Sequence, residues 1–155
     1  RFVHEELGFN FRMTNLQAAL GLAQLEQLDS FIEKKCLMGA QYTRLLSDID
    51  DIQLPLCRTP YAENIYWVYG IVLGDSYDFK ADDTMKKLSQ TGIGTRPFFW
   101  PMNKQPVFNR MGLFKTDSMP VAERIAERGF YIPSGLALTS EQIDHVAQCV
   151  KELLK

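Results

Sequence analysis

The 155 residues are 46% hydrophobic and 23% charged, enough apolar surface for one folded domain and too much for a disordered chain. A formal charge of −2 gives no electrostatic footprint for nucleic acid or an anionic membrane, and no apolar run approaches the roughly 20 residues of a membrane-spanning helix. Cys36, Cys57 and Cys149 are odd in number and not spaced for zinc, and His4 and His145 stand far apart in sequence. The expectation is reduced thiols in a cytoplasm and no metal site.

The first predicted element is a helix opening at Thr14. Thr14 and Gln17 have the spacing of a capping box, in which the threonine hydroxyl accepts from an early helical N–H and the glutamine reaches back to the threonine backbone. Leu16, Ala19, Leu20 and Ala23 line one face and Ala18, Leu22 and Leu25 another, so the first turns are apolar nearly all round. Such a helix is expected to be buried on more than one side, wedged between two domains or two subunits. Ahead of it, Asn10 and Arg12 alternate with Phe9 and Phe11. Two readings are open: the polar pair serves an anion at the helix N-terminus, or Asn10 caps a turn while Arg12 pairs with Glu5 or Glu6.

The helical pattern continues through Phe31, Met38, Tyr42, Leu45 and Ile49, either as one long helix to about Leu46 or with a bend at Asp29-Ser30. Asp48 to Pro60 reads as a connector. Ile65 to Leu73 reads as a strand apolar on both faces, and therefore central. Lys80 to Thr91 reads as a helix with Ala81, Met85 and Leu88 inward and Gly92 as its stop. A second strand starts at Ile93 and meets Pro97, which confines it to an edge. Pro120 to Arg128 is predicted helical, with Glu123, Arg124, Glu127 and Arg128 as a solvated face. Tyr131–Pro133 is a brief strand. Thr139 and Gln142 form a second capping box for an amphipathic helix carrying Ile143, Val146, Ala147, Val150 and Leu154. The order predicts an α+β layer, a small antiparallel or mixed sheet covered by helices.

The run Phe98-Phe99-Trp100-Pro101-Met102-Asn103-Lys104-Gln105-Pro106-Val107-Phe108 has neither helical nor strand period. A loop so aromatic either fills a core or lines a pocket, and its aromatic faces beside Arg96, Asn103, Lys104 and Gln105 suit a flat ring with a phosphate tail. Lys34, Lys35, Lys86, Lys87, Lys151 and Lys155 read as helix surface, and Lys104 is the only lysine set in a pocket-like context.

Three blocks in order carry a resemblance. Gly8 to Thr14, followed by Gln17-Ala18-Ala19 and Gln24-Leu25, resembles the Gly-x-Asn-Tyr-Arg-Met segment of the PLP-dependent nucleotide-sugar aminotransferases of the DegT/StrS family, with Phe11 in place of the usual tyrosine. Gly92 to Met102 is similar to the substrate-side loop of that family, closest to its GDP-perosamine synthases, which commonly carry a histidine where Asn103 stands. Phe130 to Gln142 resembles the family's closing segment.

The resemblance implies the small carboxyl-terminal domain of a fold-type I aminotransferase over residues 1–155. The missing initiator methionine fits a piece of a longer chain whose Schiff-base lysine lies upstream, so no catalytic residue is expected in this segment. It implies Asn10 and Arg12 at the cofactor, with Asn10 reaching across a homodimer to the cofactor phosphate, and Arg96, Phe98, Phe99, Trp100, Asn103 and Lys104 at the substrate. The dimer would form through the Thr14–Leu28 helix and the Asn10 loop. The implied reaction converts a GDP-linked 4-keto-6-deoxy sugar to its 4-amino sugar for lipopolysaccharide O-antigen, with glutamate as amino donor. Two alternatives stay open: a sugar dehydratase of the same family with histidine in place of the lysine, and a free-standing nucleotide-binding or interaction module.

Overall fold

A computed structural model describes residues 3–10, 12–114 and 117–155. Phe11, which stands in place of the family's usual tyrosine, lies outside the described residues. Helix α1 spans Asn15–Leu25 and α2 spans Leu28–Leu46. The capping box at Thr14 is present, with the Gln17 N–H donating to Thr14 Oγ1 at 3.3 Å and the Thr14 N–H to Gln17 Oε1 at 2.8 Å. The break between the helices falls at Glu26-Gln27, so Asp29 and Ser30 sit in the first turn of α2 rather than marking the bend.

Four strands form the main sheet, all antiparallel, in the order β1-β4-β6-β5: β1 Ile52–Gln53, β4 Tyr69–Leu73, β5 Arg96–Pro97 and β6 Gly129–Ile132. The expected connector from Asp48 to Pro60 in fact carries β1 and β2, and β2 Arg58–Thr59 pairs with β3 Ala62–Glu63 just beyond it in a separate two-stranded hairpin. Pro97 lies at the sheet edge, where its missing N–H costs no ladder bond. The strand expected from Ile65 begins only at Tyr69. Tyr66 has φ +52, and Asn64 Oδ1 accepts the Tyr66 N–H at 2.7 Å, so the chain turns before it can join the ladder.

One sheet face is covered by α2, by α3 (Ala81–Gln90) and by α6 (Ser140–Leu154). Tyr69, Ile71 and Leu73 alternate onto that face and are fully buried with Tyr42, Leu46, Leu88, Phe130 and Val150. The predicted inward sets of α3 and α6 are found there, including all five residues expected to face inward on α6. Gly92, with φ +82, ends α3 as expected. Two tyrosine hydroxyls are satisfied inside this core: Tyr42 donates to the Pro133 carbonyl at 2.9 Å, and Tyr69 shares a 2.8 Å bond with Thr43. Burial pushes the Tyr69 hydroxyl up to about 12 and the Tyr42 hydroxyl up as well.

The other face is covered by the Phe98 ring and by α5 (Pro120–Arg128). Phe98 stacks on Tyr131 with ring centroids 4.4 Å apart. The polar residues of α5, expected to form a solvated face, instead reach partners on other elements. Arg124 and Arg128 both reach Asp75, Glu127 bonds Lys80, and Glu123 turns toward the loop that precedes the helix. Lys35 is likewise not a free surface lysine. It is half-buried and donates to the carbonyls of Trp67, at 2.9 Å, and Ser134, with burial holding its ammonium below the ordinary pKa.

Helix α1 stands apart from this body. It has no buried residue, and Leu16, Leu20, Leu22 and Leu25 are between 59% and 76% exposed. The apolar faces expected to be covered on several sides have no cover among the described residues.

Candidate functional site

The aromatic loop folds into a 3-10 turn at Met102–Lys104 and the short helix α4 at Pro106–Arg110. Its own hydrogen bonds make it compact. The Trp100 indole N–H donates to the Lys104 carbonyl at 3.0 Å, and the Gln105 amide donates to the Trp100 carbonyl at 3.3 Å. Gln105 Oε1 accepts the His4 N–H at 2.9 Å, and the Val107 N–H donates to the His4 carbonyl at 3.1 Å, which straps the N-terminal segment across the loop. An ion pair between Arg110 and Glu5 extends the strap, so Glu5 is not the partner of Arg12.

Between strap and loop lies a cavity of about 790 Å³. Phe98, Phe99 and Trp100 line it from one side, His4, Glu6 and Leu7 from the strap, and Ala122 and Ile125 from α5. Aromatic walls with a few polar groups at the rim suit a largely apolar, ring-shaped ligand. Three of the six expected substrate residues therefore come together here.

The other three do not join them. Asn103 is buried, and its amide donates to Glu123 Oε1 at 2.8 Å and to the Asp117 carbonyl at 3.4 Å. Lys104 Nζ pairs with the same carboxylate at 3.2 Å. The Met119 N–H, the Asn103 amide and Lys104 together hold the Glu123 carboxyl below the ordinary range. In this arrangement Asn103 and Lys104 anchor the start of α5. Arg96 lies on the edge strand, exposed, and borders a separate depression of about 330 Å³ with Trp67, Tyr131 and Ser134.

Asn10 and Arg12 precede α1 and are exposed. Asn10 Oδ1 accepts the Arg12 N–H at 2.9 Å, closing a turn in which Arg12 has φ +72. The amide nitrogen of Asn10 is not used in that bond. The turn-cap geometry and an outward donor therefore coexist on one side chain.

Trp67 was missed in the sequence because it fell inside a predicted strand. It is 68% exposed and lies nearly parallel to Phe99, with centroids 6.4 Å apart and an interplanar angle of 11°. No periodic signal marks it, because the turn that exposes it hangs on the bond from the Tyr66 N–H to Asn64 Oδ1.

The GDP-perosamine synthase of Caulobacter vibrioides is 31% identical over 148 residues, covering 96% of this chain and 39% of that protein. The GDP-perosamine synthase of Vibrio cholerae is 28% identical over 152 residues, covering 97% and 40%. Among solved structures, DesV of S. venezuelae superposes with a TM-score of 0.80 at 25% identity, covering 100% of this chain and 40% of that one. The chain thus spans about two fifths of the length of these relatives. With a family profile matching residues 1–151, the chain belongs to the DegT/DnrJ/EryC1/StrS aminotransferase family, whose aminotransferases depend on PLP.

Proposed function

We propose that this chain is the small, carboxyl-terminal domain of an aminotransferase that acts on a GDP-linked 4-keto-6-deoxy sugar, with glutamate as amino donor. The observation that carries the reading is the convergence of Phe98, Phe99 and Trp100 on one cavity in a chain of this family. The relatives named as GDP-perosamine synthases support the nucleotide. The three free thiols Cys36, Cys57 and Cys149 suit a reducing cytoplasm.

The residues of this chain fit one end of PLP. The Asn10 amide nitrogen faces away from its own turn bond and is free to donate to a phosphate oxygen, across a subunit boundary formed by α1. Arg12 would add positive charge at the same turn. They do not fit the other end: Lys35 is held by two carbonyls and Lys104 by Glu123, so neither presents an amine to the aromatic cavity. The lysine that carries the cofactor would come from outside these residues. When bound, PLP supplies an electron sink at the carbon that exchanges its amino group.

The chain's own residues then bind and orient. Phe98, Phe99 and Trp100 hold the deoxy sugar against apolar faces and exclude water from it, while Arg96 offers its guanidinium to the diphosphate. In the balanced exchange glutamate gives up its amino group and becomes 2-oxoglutarate, and C4 of the sugar exchanges its keto oxygen for that amino group. Incubating the complete protein with the GDP-linked keto sugar and glutamate tests this, with mass spectrometry of the sugar nucleotide as readout. A 4-amino product with matching 2-oxoglutarate supports the proposal. A deoxygenated product without amino transfer would instead identify a dehydratase.

A further inference from the structure

Trp67 is an exposed aromatic that the large cavity does not account for. Three features hold it in the open. Tyr66 takes φ +52, a conformation rare for a bulky residue, and buries its ring parallel to Tyr69 at 6.0 Å, so the chain swings Trp67 outward. Lys35 Nζ bonds the Trp67 carbonyl at 2.9 Å and also the Ser134 carbonyl, tying the turn to the end of β6. The Trp67 ring is then set nearly parallel to Phe99. Beside it, Arg96, Tyr131 and Ser134 complete the smaller depression, and Tyr131 also borders the large cavity, so the two spaces adjoin.

We propose that Trp67 is the platform on which the nucleobase of the sugar nucleotide stacks, with Phe99 bounding the stack and Arg96 taking the diphosphate. The assignment rests on the sugar-nucleotide reading above and adds a residue to it. A planar base offers a π-face that an indole accepts whatever the base, and the guanidinium lies on the same depression where a phosphate tail would leave the stack. The sugar then enters the larger cavity, past Phe99, which borders that cavity and stacks with Trp67. Lys35 is a positioning residue that acts through the Trp67 carbonyl.

Calorimetric titration of the complete protein with GDP, UDP and dTDP, and with inorganic pyrophosphate as a base-free probe, tests the proposal. Trp67→Ala is expected to weaken the preferred nucleoside diphosphate about fivefold to a hundredfold, Trp67→Phe to restore most of that, and pyrophosphate to bind all three proteins alike. Because the indole is exposed, the variants should fold, and a melting curve checks it. Unchanged nucleoside diphosphate affinity in Trp67→Ala overturns the assignment and leaves the enzyme reading intact. Parallel loss of pyrophosphate affinity also overturns it, since Trp67 would then only shape the loop. A wild type that prefers UDP or dTDP defeats the GDP reading, while the same Trp67→Ala comparison still supports the platform. Binding of none of the three overturns both.

Discussion

Phe98 lies directly over Gly129: a Cβ at Gly129 would meet the Phe98 ring at 2.6 Å and the Ile125 carbonyl oxygen at 2.5 Å. The ring that walls the cavity can reach the sheet only because position 129 has no side chain. Gly70 on the neighbouring strand repeats the relation, with Phe98 Cζ at 2.7 Å from its missing Cβ. The two sites differ in what must give way. At Gly70 the obstacle is the tip of a ring, and at Gly129 it includes backbone.

Gly129→Ala is therefore expected to destabilise the fold by about 1–3 kcal/mol, as overpacking does, and Gly70→Ala by less. Urea unfolding of both variants checks the order. Phe98→Ala in the Gly70→Ala background should recover most of that variant's own loss, because the clash is with that ring alone. Failure of the double variant to recover would mean that the strand, not the ring, resists the methyl group.

Asp48 sets an acid limit on the C-terminal helix. Its carboxylate accepts from Lys155 at 2.7 Å and Lys151 at 3.3 Å, and these two ammonium groups lower its pKa from 3.8 to about 2. A carboxyl depressed in the folded state contributes stability that is present above the unfolded pKa and lost as pH falls through the folded one. Acidification from pH 4 to pH 2 should loosen the end of α6 in the wild type. Asp48→Asn should remove that part of the acid response while leaving neutral-pH helix content unchanged, as followed by circular dichroism and amide exchange.

What could be read in the sequence was local. Both capping boxes, the stop at Gly92 and the inward stripe of α6 depend on residues within a few positions of each other, and all are present. The core of β4 was also legible, because the alternation from Tyr69 to Leu73 is apolar on both faces. Its start was not, since Tyr66 turns on an Asn64 bond that has no period to betray it. The substrate set divided for a similar reason. Phe98, Phe99 and Trp100 follow one another and converge, whereas Asn103 and Lys104 are captured by Glu123, about twenty residues away, and Arg96 is carried off by the sheet edge. Lys35 looked like any helix lysine until the Trp67 and Ser134 carbonyls folded back onto it.

The bare leucines of α1 predict self-association. Within the chain, Leu20→Glu replaces a side chain that is 64% exposed, so its effect on intrachain stability should stay within about 0.5 kcal/mol. If α1 packs against a second copy, the same substitution places a carboxylate in that interface, and sedimentation should show the complex shifting to monomer. An unshifted sedimentation profile would remove α1 from the interface.

Asn10 allows the sharpest test, because its two amide atoms have separable tasks. The oxygen accepts the Arg12 N–H and holds a turn in which a non-glycine residue has φ +72. The nitrogen is the donor proposed for the cofactor phosphate. Asn10→Asp keeps an oxygen for the turn, removes the donor and adds a negative charge facing a phosphate that carries nearly two. Asn10→Ala removes both functions without adding charge. If Asn10 only caps the turn, Asp is the benign substitution and Ala the damaging one. If it also donates to the phosphate, the order reverses. Ala should then weaken PLP binding by the worth of one charge-assisted hydrogen bond, about 1.5–3 kcal/mol, and Asp by more. Spectrophotometric titration of the two complete variant proteins with PLP reads the order directly, and sedimentation confirms that any loss is not loss of assembly. PLP affinity preserved in Asn10→Asp would return this residue to the turn alone.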